Sequence, residues 1–312
     1  MPIKRLALAL LAAWLWPFAS AAETAPIGMV TGPQAGTYFA IASDVAKLSH
    51  GTNAQLLVKP SQGSLDNIKR INSTENAVLG IVQSDVMGYL NRAKDKASFK
   101  MVGPLRVVFP LYQEEVHVLA RRSINSFAEL TGKKVAIGEN GSGSMITALN
   151  LFSLLDVKPA ESKKMASASG VLAVLKGELD AVIFVGGKPV RLFKNLEELA
   201  MPENIQYAAM LDQVHFLNLT DPNLMSEYKP ATLSRDDYVF IEDDVQTVAV
   251  TAMLVSYDLS KNLKQPRCKA LAALSDLIRE KLETLRASGH PKWKEVDLNA
   301  DIGSWKKDEC SW

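Results

Sequence analysis

Short runs rich in β-branched residues alternate with helix-patterned segments along most of this chain, and small polar clusters sit at the joints between them. The strand-like runs are residues 55–58, 77–82, 101–108, 116–120, 134–137, 181–185, 205–210 and 247–255, and helical patterns fill 39–48, 65–72 and 144–155. Such alternation predicts an α/β fold with largely parallel strands. The joints carry Thr31-Gly32-Pro33-Gln34-Ala35-Gly36-Thr37-Tyr38, Ser61-Gln62-Gly63-Ser64, Gln83-Ser84-Asp85 and Gly141-Ser142-Gly143-Ser144. In open α/β folds, strand carboxyl ends and helix amino ends form the ligand crevice, and small residues there expose backbone N–H groups. A site made of backbone and hydroxyls suits holding a small anion better than breaking a bond.

Nothing in the chain reads as a tandem repeat or a low-complexity linker, so two lobes would have to share strands. The two best crossings are extended, 115–121 going out and 246–256 coming back. They predict a hinge, with 23–118 and 248–312 as one lobe and 119–247 as the other. The clearest helix follows Pro266: Leu271, Leu274, Ile278, Leu282 and Leu285 fall on one face, and Gly289 and Pro291 end it.

The amino terminus has a secretory layout, with Lys4 and Arg5, an apolar stretch over 6–16 and small residues at Ala19-Ser20-Ala21-Ala22. Residues 1–22 are therefore expected to be a signal peptide, cut after Ala21 or Ala22, with the mature protein exported. The apolar stretch is well short of the ~20 residues that span a bilayer. The formal net charge of +1 argues against a nucleic-acid partner. Cys268 and Cys310 lie in the exported part, where a disulfide is the simplest reading and two unpaired thiols the alternative. His50, His117, His215 and His290 are scattered, with no ligand spacing for a metal, and no cofactor is expected.

The individual motifs each admit a plain structural reading. Gly141-Ser142-Gly143-Ser144 lacks the lysine of a phosphate loop and the third glycine of a dinucleotide fingerprint. What remains is either a tight turn with an N-cap or a helix start that donates hydrogen bonds to a carboxylate. Ser64 reads as an N-cap, with Asn67 returning a bond in a loose capping arrangement. Gln83 and Ser84 point into a crevice, and Asp85 serves as a cap or joins them. Tyr38 offers a ring to an aliphatic stem and a hydroxyl to a polar end. Lys188, in Gly186-Gly187-Lys188-Pro189, is either a charge at the lobe mouth or a surface lysine. Glu114 and Glu115 are adjacent in a strand and face opposite ways, which reads as the solvated start of the crossing strand rather than a catalytic pair. The sequence has no Gly-x-Ser-x-Gly elbow, and His117 has no serine or acid partner nearby in sequence, so no enzyme is expected.

The ordered set of stretches resembles the TAXI family, the solute-binding subunits of tripartite ATP-independent periplasmic (TRAP) transporters. The matching pieces are Gly36-Thr37-Tyr38-Phe39, Ser61-Gln62-Gly63-Ser64-Leu65-Asp66-Asn67-Ile68, Gly80-Ile81-Val82-Gln83-Ser84-Asp85-Val86, Leu111-Tyr112 through Val118, Leu130 through Ser144, Gly177 through Gly187, and Asp244 through Val250. The resemblance implies a two-lobed periplasmic binding protein, type II-like, that closes on a small carboxylate such as glutamate, glutamine or 2-oxoglutarate. It would hand this ligand, as a monomer, to membrane permease subunits. By position it implies a cleft lined by Thr37, Tyr38, Ser61, Gly63, Ser64, Gln83, Ser84, Ser142, Gly143, Ser144 and Gly187, with Lys188 available for a second carboxylate. Ala35 and Ala40 depart from the glycine and proline expected there. A receptor presenting the closed form to a membrane sensor is the alternative role, and an exported enzyme on the same scaffold is a more distant one.

Overall fold

A computed structural model describes residues 26–71, 73, 77–93, 95–200 and 205–312. The expected signal segment lies outside the described residues. The strands are β1 (Ile27–Val30), β2 (Leu56–Lys59), β3 (Leu79–Gln83), β4 (Leu105–Arg121), β5 (Lys134–Ala136), β6 (Glu161–Lys163), β7 (Ala181–Gly186), β8 (Val214–Phe216), β9 (Lys229–Leu233) and β10 (Val245–Tyr257). The helices are α1 (Thr37–Ser49), α2 (Ser64–Ile71), α3 (Ser84–Arg92), α4 (Lys96–Val102), α5 (Gly143–Leu154), α6 (Ser167–Leu175), α7 (Arg191–Lys194), α8 (Ile205–Leu211), α9 (Pro266–Glu280) and α10 (Leu282–Ser288).

The strands join in the order β2-β1-β3-β10-β4-β7-β5-β6, with β8 on β4 and β9 on β10. β1 runs parallel to β2 and β3, and β5 runs parallel to β6 and β7. These are two parallel βαβ halves, and β4 and β10 link them. The early part of β4 pairs antiparallel with the end of β10, as in Leu254 opposite Phe109. Past Glu115, β4 turns to β7 and β10 turns to β9. The fold is thus two α/β lobes whose sheet is carried across by two long strands. The register of β4 against β10 slips between Thr251 and Met253, which accommodates Pro110 inside the strand.

Several elements differ from expectation. Residues 205–210 form part of α8 rather than a strand, because a short apolar run with Ala208, Ala209, Met210 and Leu211 carries helix formers that periodicity alone does not separate from a strand. The runs 101–108 and 116–120 are not two strands: α4 takes Met101 and Val102, and β4 continues unbroken for 17 residues. The helix after Pro266 divides at Lys281 into α9 and α10, although the apolar face continues through Leu285. Three short or polar strands, β6, β8 and β9, and the buried β1 have no clear signal of their own.

One core cluster around Ile41, Phe109, Leu271 and Trp293 fills the first lobe, and another around Phe193, Phe216 and Tyr238 fills the second. A third runs from Ile68 and Val86 through Val116 to Leu151, continuous under both. Cys268 and Cys310 form a disulfide with their Cα atoms 5.3 Å apart, tying the carboxyl-terminal tail to α9. Among the described residues no helix is long and apolar enough to cross a membrane.

Candidate ligand site between the two lobes

The strand-to-helix corners of both lobes meet at one seam. From the first lobe come the starts of α1, α2 and α3, and from the second the start of α5. The Tyr38 hydroxyl donates to Glu114 Oε2 at 2.6 Å and lies 3.4 Å from Ser64 Oγ. Ser64 Oγ accepts from the Gln83 N–H at 3.1 Å and is 3.4 Å from Gln83 Oε1. Gln83 in turn presses on the second lobe: a Cβ at Gly143 would sit 1.7 Å from Gln83 Oε1 and 2.8 Å from Ser64 Oγ. Only glycine permits that approach. Gly63 borders the same contact at ordinary van der Waals distance, a Cβ there being 3.5 Å from the Gly143 nitrogen, and its φ of +112° is what favours glycine. The Asp66 N–H, an unpaired donor in the first turn of α2, reaches across to the Gly141 carbonyl at 3.1 Å.

These contacts bring Tyr38, Gly63, Ser64, Gln83 and Gly143 together. The other residues singled out from sequence serve the frame. Ser142 caps α5, its Oγ accepting from the Met145 N–H, and Ser144 Oγ accepts from the Val185 N–H. Ser61 Oγ donates to Asn67 and accepts from the Gly63 N–H, shaping the turn before α2. The capping arrangement expected of Ser64 and Asn67 is not made, because Asn67 Nδ2 donates to the Thr31 and Ile81 carbonyls and so anchors α2 to β1 and β3. Thr37 is half-buried at the first position of α1, and Ser84 Oγ accepts from the Thr251 N–H on β10. Gly187 packs on the Lys292 side chain, where a Cβ would lie 2.8 Å from Cε. Lys188 is not a free charge: its Nζ donates to the Thr232 carbonyl and to Asp237.

Glu114 and Glu115 overturn the solvated reading. Each is only 3% exposed, because at this point β4 is a central strand bordered by β10 and β7 and covered on both faces. Alternation therefore turns one carboxylate from the other without turning either to water. Burial, helped by the charges of Glu115 and Asp85, pushes Glu114 up to about 8 despite the hydrogen bond from Tyr38. Burial also raises Glu115, and Lys292 opposes this with an ion pair at 2.8 Å; the Lys188 N–H donates to its other oxygen at 2.7 Å. Asp85 is no simple cap. Its Oδ2 accepts from Thr147 of α5 at 2.7 Å and from Tyr228 at 3.2 Å, and burial lifts it to about 6. Close by, Arg92 pairs with Glu227 at 2.9 Å, and Asn150 donates to both Glu227 and Tyr228.

His117 belongs to the second-lobe core, stacked on Phe193, with Nε2 2.8 Å from the Tyr238 hydroxyl; burial lowers it to about 3. Among the described residues no cluster of three or more His, Cys, Asp or Glu side chains could hold a metal ion. Two surface cavities, of about 180 and 360 Å³, lie away from the seam, one against Phe216 and Phe240 and the other against Tyr257 and Arg267.

Thr147, Tyr228 and Lys292 had no sequence signal, since their partners are 62 or more positions away. Glu114 and Glu115 carry a weak one, two charges inside a long apolar run, but it is the sheet order that covers both of their faces.

A sheet carried through two α/β lobes, with helix starts converging on the seam, is the architecture of periplasmic binding proteins. The chain belongs to the NMT1-like family, whose model matches residues 29–267. Among solved structures, one described as a periplasmic transporter is 12% identical with a TM-score of 0.53, aligned over 88% of this chain and 89% of its own. The periplasmic binding protein BugD is 13% identical with a TM-score of 0.50, over 88% and 89%. The family match stops before Cys268, so the disulfide and Lys292 lie beyond it.

Proposed function

We propose that this protein is an extracytoplasmic solute-binding subunit that captures a small carboxylate between its lobes and delivers it to the permease of a TRAP-type transporter. The observation that carries this reading is the approach of Gly143 to Gln83 and Ser64, which sets the amino end of α5 against hydrogen-bonding side chains of the other lobe. A carboxylate entering there would displace the Gln83 amide oxygen and take up the hydroxyls of Tyr38 and Ser64 and the N–H groups at the start of α5. Residues 23–118 with 248–312 move against 119–247 about the β4 and β10 crossings, and the ligand favours the closed form because only there do both lobes touch it. Export follows from the amino-terminal layout, with removal of residues 1–22. Binding without chemical change, rather than catalysis, is the role this reading gives to Tyr38, Ser64 and Gln83. Neighbouring genes for permease subunits would favour transport over the alternative role of a sensor component.

The test is a thermal-shift screen of the mature protein, unfolded and refolded to remove carried ligand, against amino acids, oxo acids, dicarboxylates, sugars and phosphates. A carboxylate at 100 times its dissociation constant adds about 2.7 kcal/mol and raises the melting temperature. Alanine at both Tyr38 and Gln83 should abolish that rise in a protein that still folds. A rise with sugars or phosphates alone, or an undiminished rise in the double variant, would reject the site.

A further inference from the structure

Glu114 is a buried acid that the carboxylate reading alone leaves without a purpose. It stands at the inner end of the chain of contacts running from Gly143 through Gln83, Ser64 and Tyr38. Its neighbour Glu115 is neutralised by Lys292, whereas among the described residues no cation pairs with Glu114. Two residues before it on β4, Tyr112 is 0% exposed and its hydroxyl has no hydrogen-bond partner. That hydroxyl lies near enough to Glu114, Glu115 and Glu295 to feel their charges. A buried acceptor without a cation and a buried hydroxyl without a partner are both costly unless a donor-rich group meets them.

We propose that Glu114 is the specificity-determining residue of this cleft and receives a cationic nitrogen of the solute, so that the ligand is a zwitterion such as an α-amino acid rather than the oxo acid of the same skeleton. The inference rests on the cleft being the ligand site. An ammonium group offers three donors, enough for Glu114, the Tyr112 hydroxyl and the Gln83 or Ser64 oxygen, while the carboxylate turns to the start of α5. An oxo group offers no donor. The groups whose charges or hydrogen bonds reach Glu114 are Tyr38 from α1, Asp85 from α3, Tyr112 and Glu115 from β4, and Lys292 from the turn Pro291–Glu295, whose Glu295 acts on Tyr112. With the acid held up to about 8, Glu114 carries its proton near neutral pH and releases it to solvent when a cation arrives beside it.

The experiment is calorimetry on the refolded mature protein with matched pairs of probes: L-glutamate and 2-oxoglutarate, L-alanine and pyruvate, L-leucine and its oxo acid. The expected result is an amino member binding about 100-fold more tightly than its oxo partner, with the preference lost in Glu114→Gln. Titrations near pH 6.5 in buffers of different ionisation enthalpy should show release of close to one proton per ligand, a readout that needs no variant. An oxo acid bound as tightly as its amino acid, or amino acid binding without proton release, overturns the inference and leaves the cleft standing. If Glu114→Gln folds and keeps the preference, the inference is likewise overturned. Binding by no member of any pair removes the carboxylate reading and this inference with it.

Discussion

The seam between the lobes has two regions built from the same kinds of residue and finished differently. Around Asp85 the protein closes on one carboxylate oxygen: Oδ2 accepts from Thr147 and Tyr228, and Asn150, Glu227 and Arg92 extend the network across both lobes at 2.7–3.2 Å, while Oδ1 is buried without a partner. Glu114 accepts one short bond, 2.6 Å from the Tyr38 hydroxyl; the two contacts beyond it lengthen to 3.4 Å, and the buried Tyr112 hydroxyl is unpartnered. The difference separates two roles that a buried carboxylate can play. On the reading proposed above, Asp85, with donors from the opposite lobe, would latch the closed form, and Glu114, with a single hydroxyl partner, would keep capacity for a solute.

The substitution expected to strain this division most is Gly143→Ala. Its Cβ falls where Gln83 Oε1 now lies, the place the carboxylate would take, so ligand affinity should drop about 100-fold or more with little loss of stability. Isothermal titration checks it, and an unchanged affinity would mean that Gln83 swings clear and the close approach is incidental. The paired change Thr147→Val and Tyr228→Phe strips Asp85 Oδ2 of both donors. It should destabilise the protein by about 2 kcal/mol in denaturant titration, while affinity falls by less than about tenfold. A loss of affinity as large as that of Gly143→Ala would erase the distinction between latch and site.

Titration sharpens the comparison further. Glu114 is raised from 4.5 to about 8 in the folded protein, so the stability it contributes is present below about pH 4.5 and is lost as pH rises through 8. Asp85, raised from 3.8 to about 6, behaves the same way in a lower window. His117, lowered from 6.5 to about 3, works in the opposite direction between those values, stability rising with pH up to 6.5. Above about pH 6.5 Glu114 therefore dominates, and the melting temperature should fall towards pH 8.5. Glu114→Gln should flatten that fall, by roughly 4 °C at the upper end, and Asp85→Asn should not. Parallel melting curves for wild type and Glu114→Gln across this range would contradict the assignment. The smallest effect is expected from Arg92→Ala: half of the Arg92 side chain is exposed, so losing its pair with Glu227 should cost under about 1 kcal/mol.

Much of this arrangement is legible in the chain before any fold is known. Gly63, Ser64, Gln83 and Gly143 fall where strand-like runs give way to helices, and parallel βα units place such joints on one edge. Residues 115–121 and 246–256 are extended, within β4 and β10, as their runs of Val, Ala and Leu lead one to expect. What the chain withholds is partnership over long separations. Ser142 and Ser144 have the composition of ligand donors, yet their hydroxyls are taken by the Met145 and Val185 N–H groups. Lys188 looks like the cation of the cleft, but Asp237 holds it, and the buried cation is Lys292, 177 positions from Glu115. Glu114 and Glu115 were misread because adjacent strand residues reach opposite faces, and only the sheet order reveals that both faces are covered.

The most direct test of lobe closure over a solute lies in the amide of Asp66, whose N–H bonds to the Gly141 carbonyl across the seam. Hydrogen exchange at that amide should slow by about tenfold or more when the mature protein is saturated with the carboxylate that raises its melting temperature most, while amides deep in α9 change no more than global stability requires. Exchange at Asp66 that stays the same under a ligand that stabilises the whole protein would place the solute elsewhere and contradict closure at this seam.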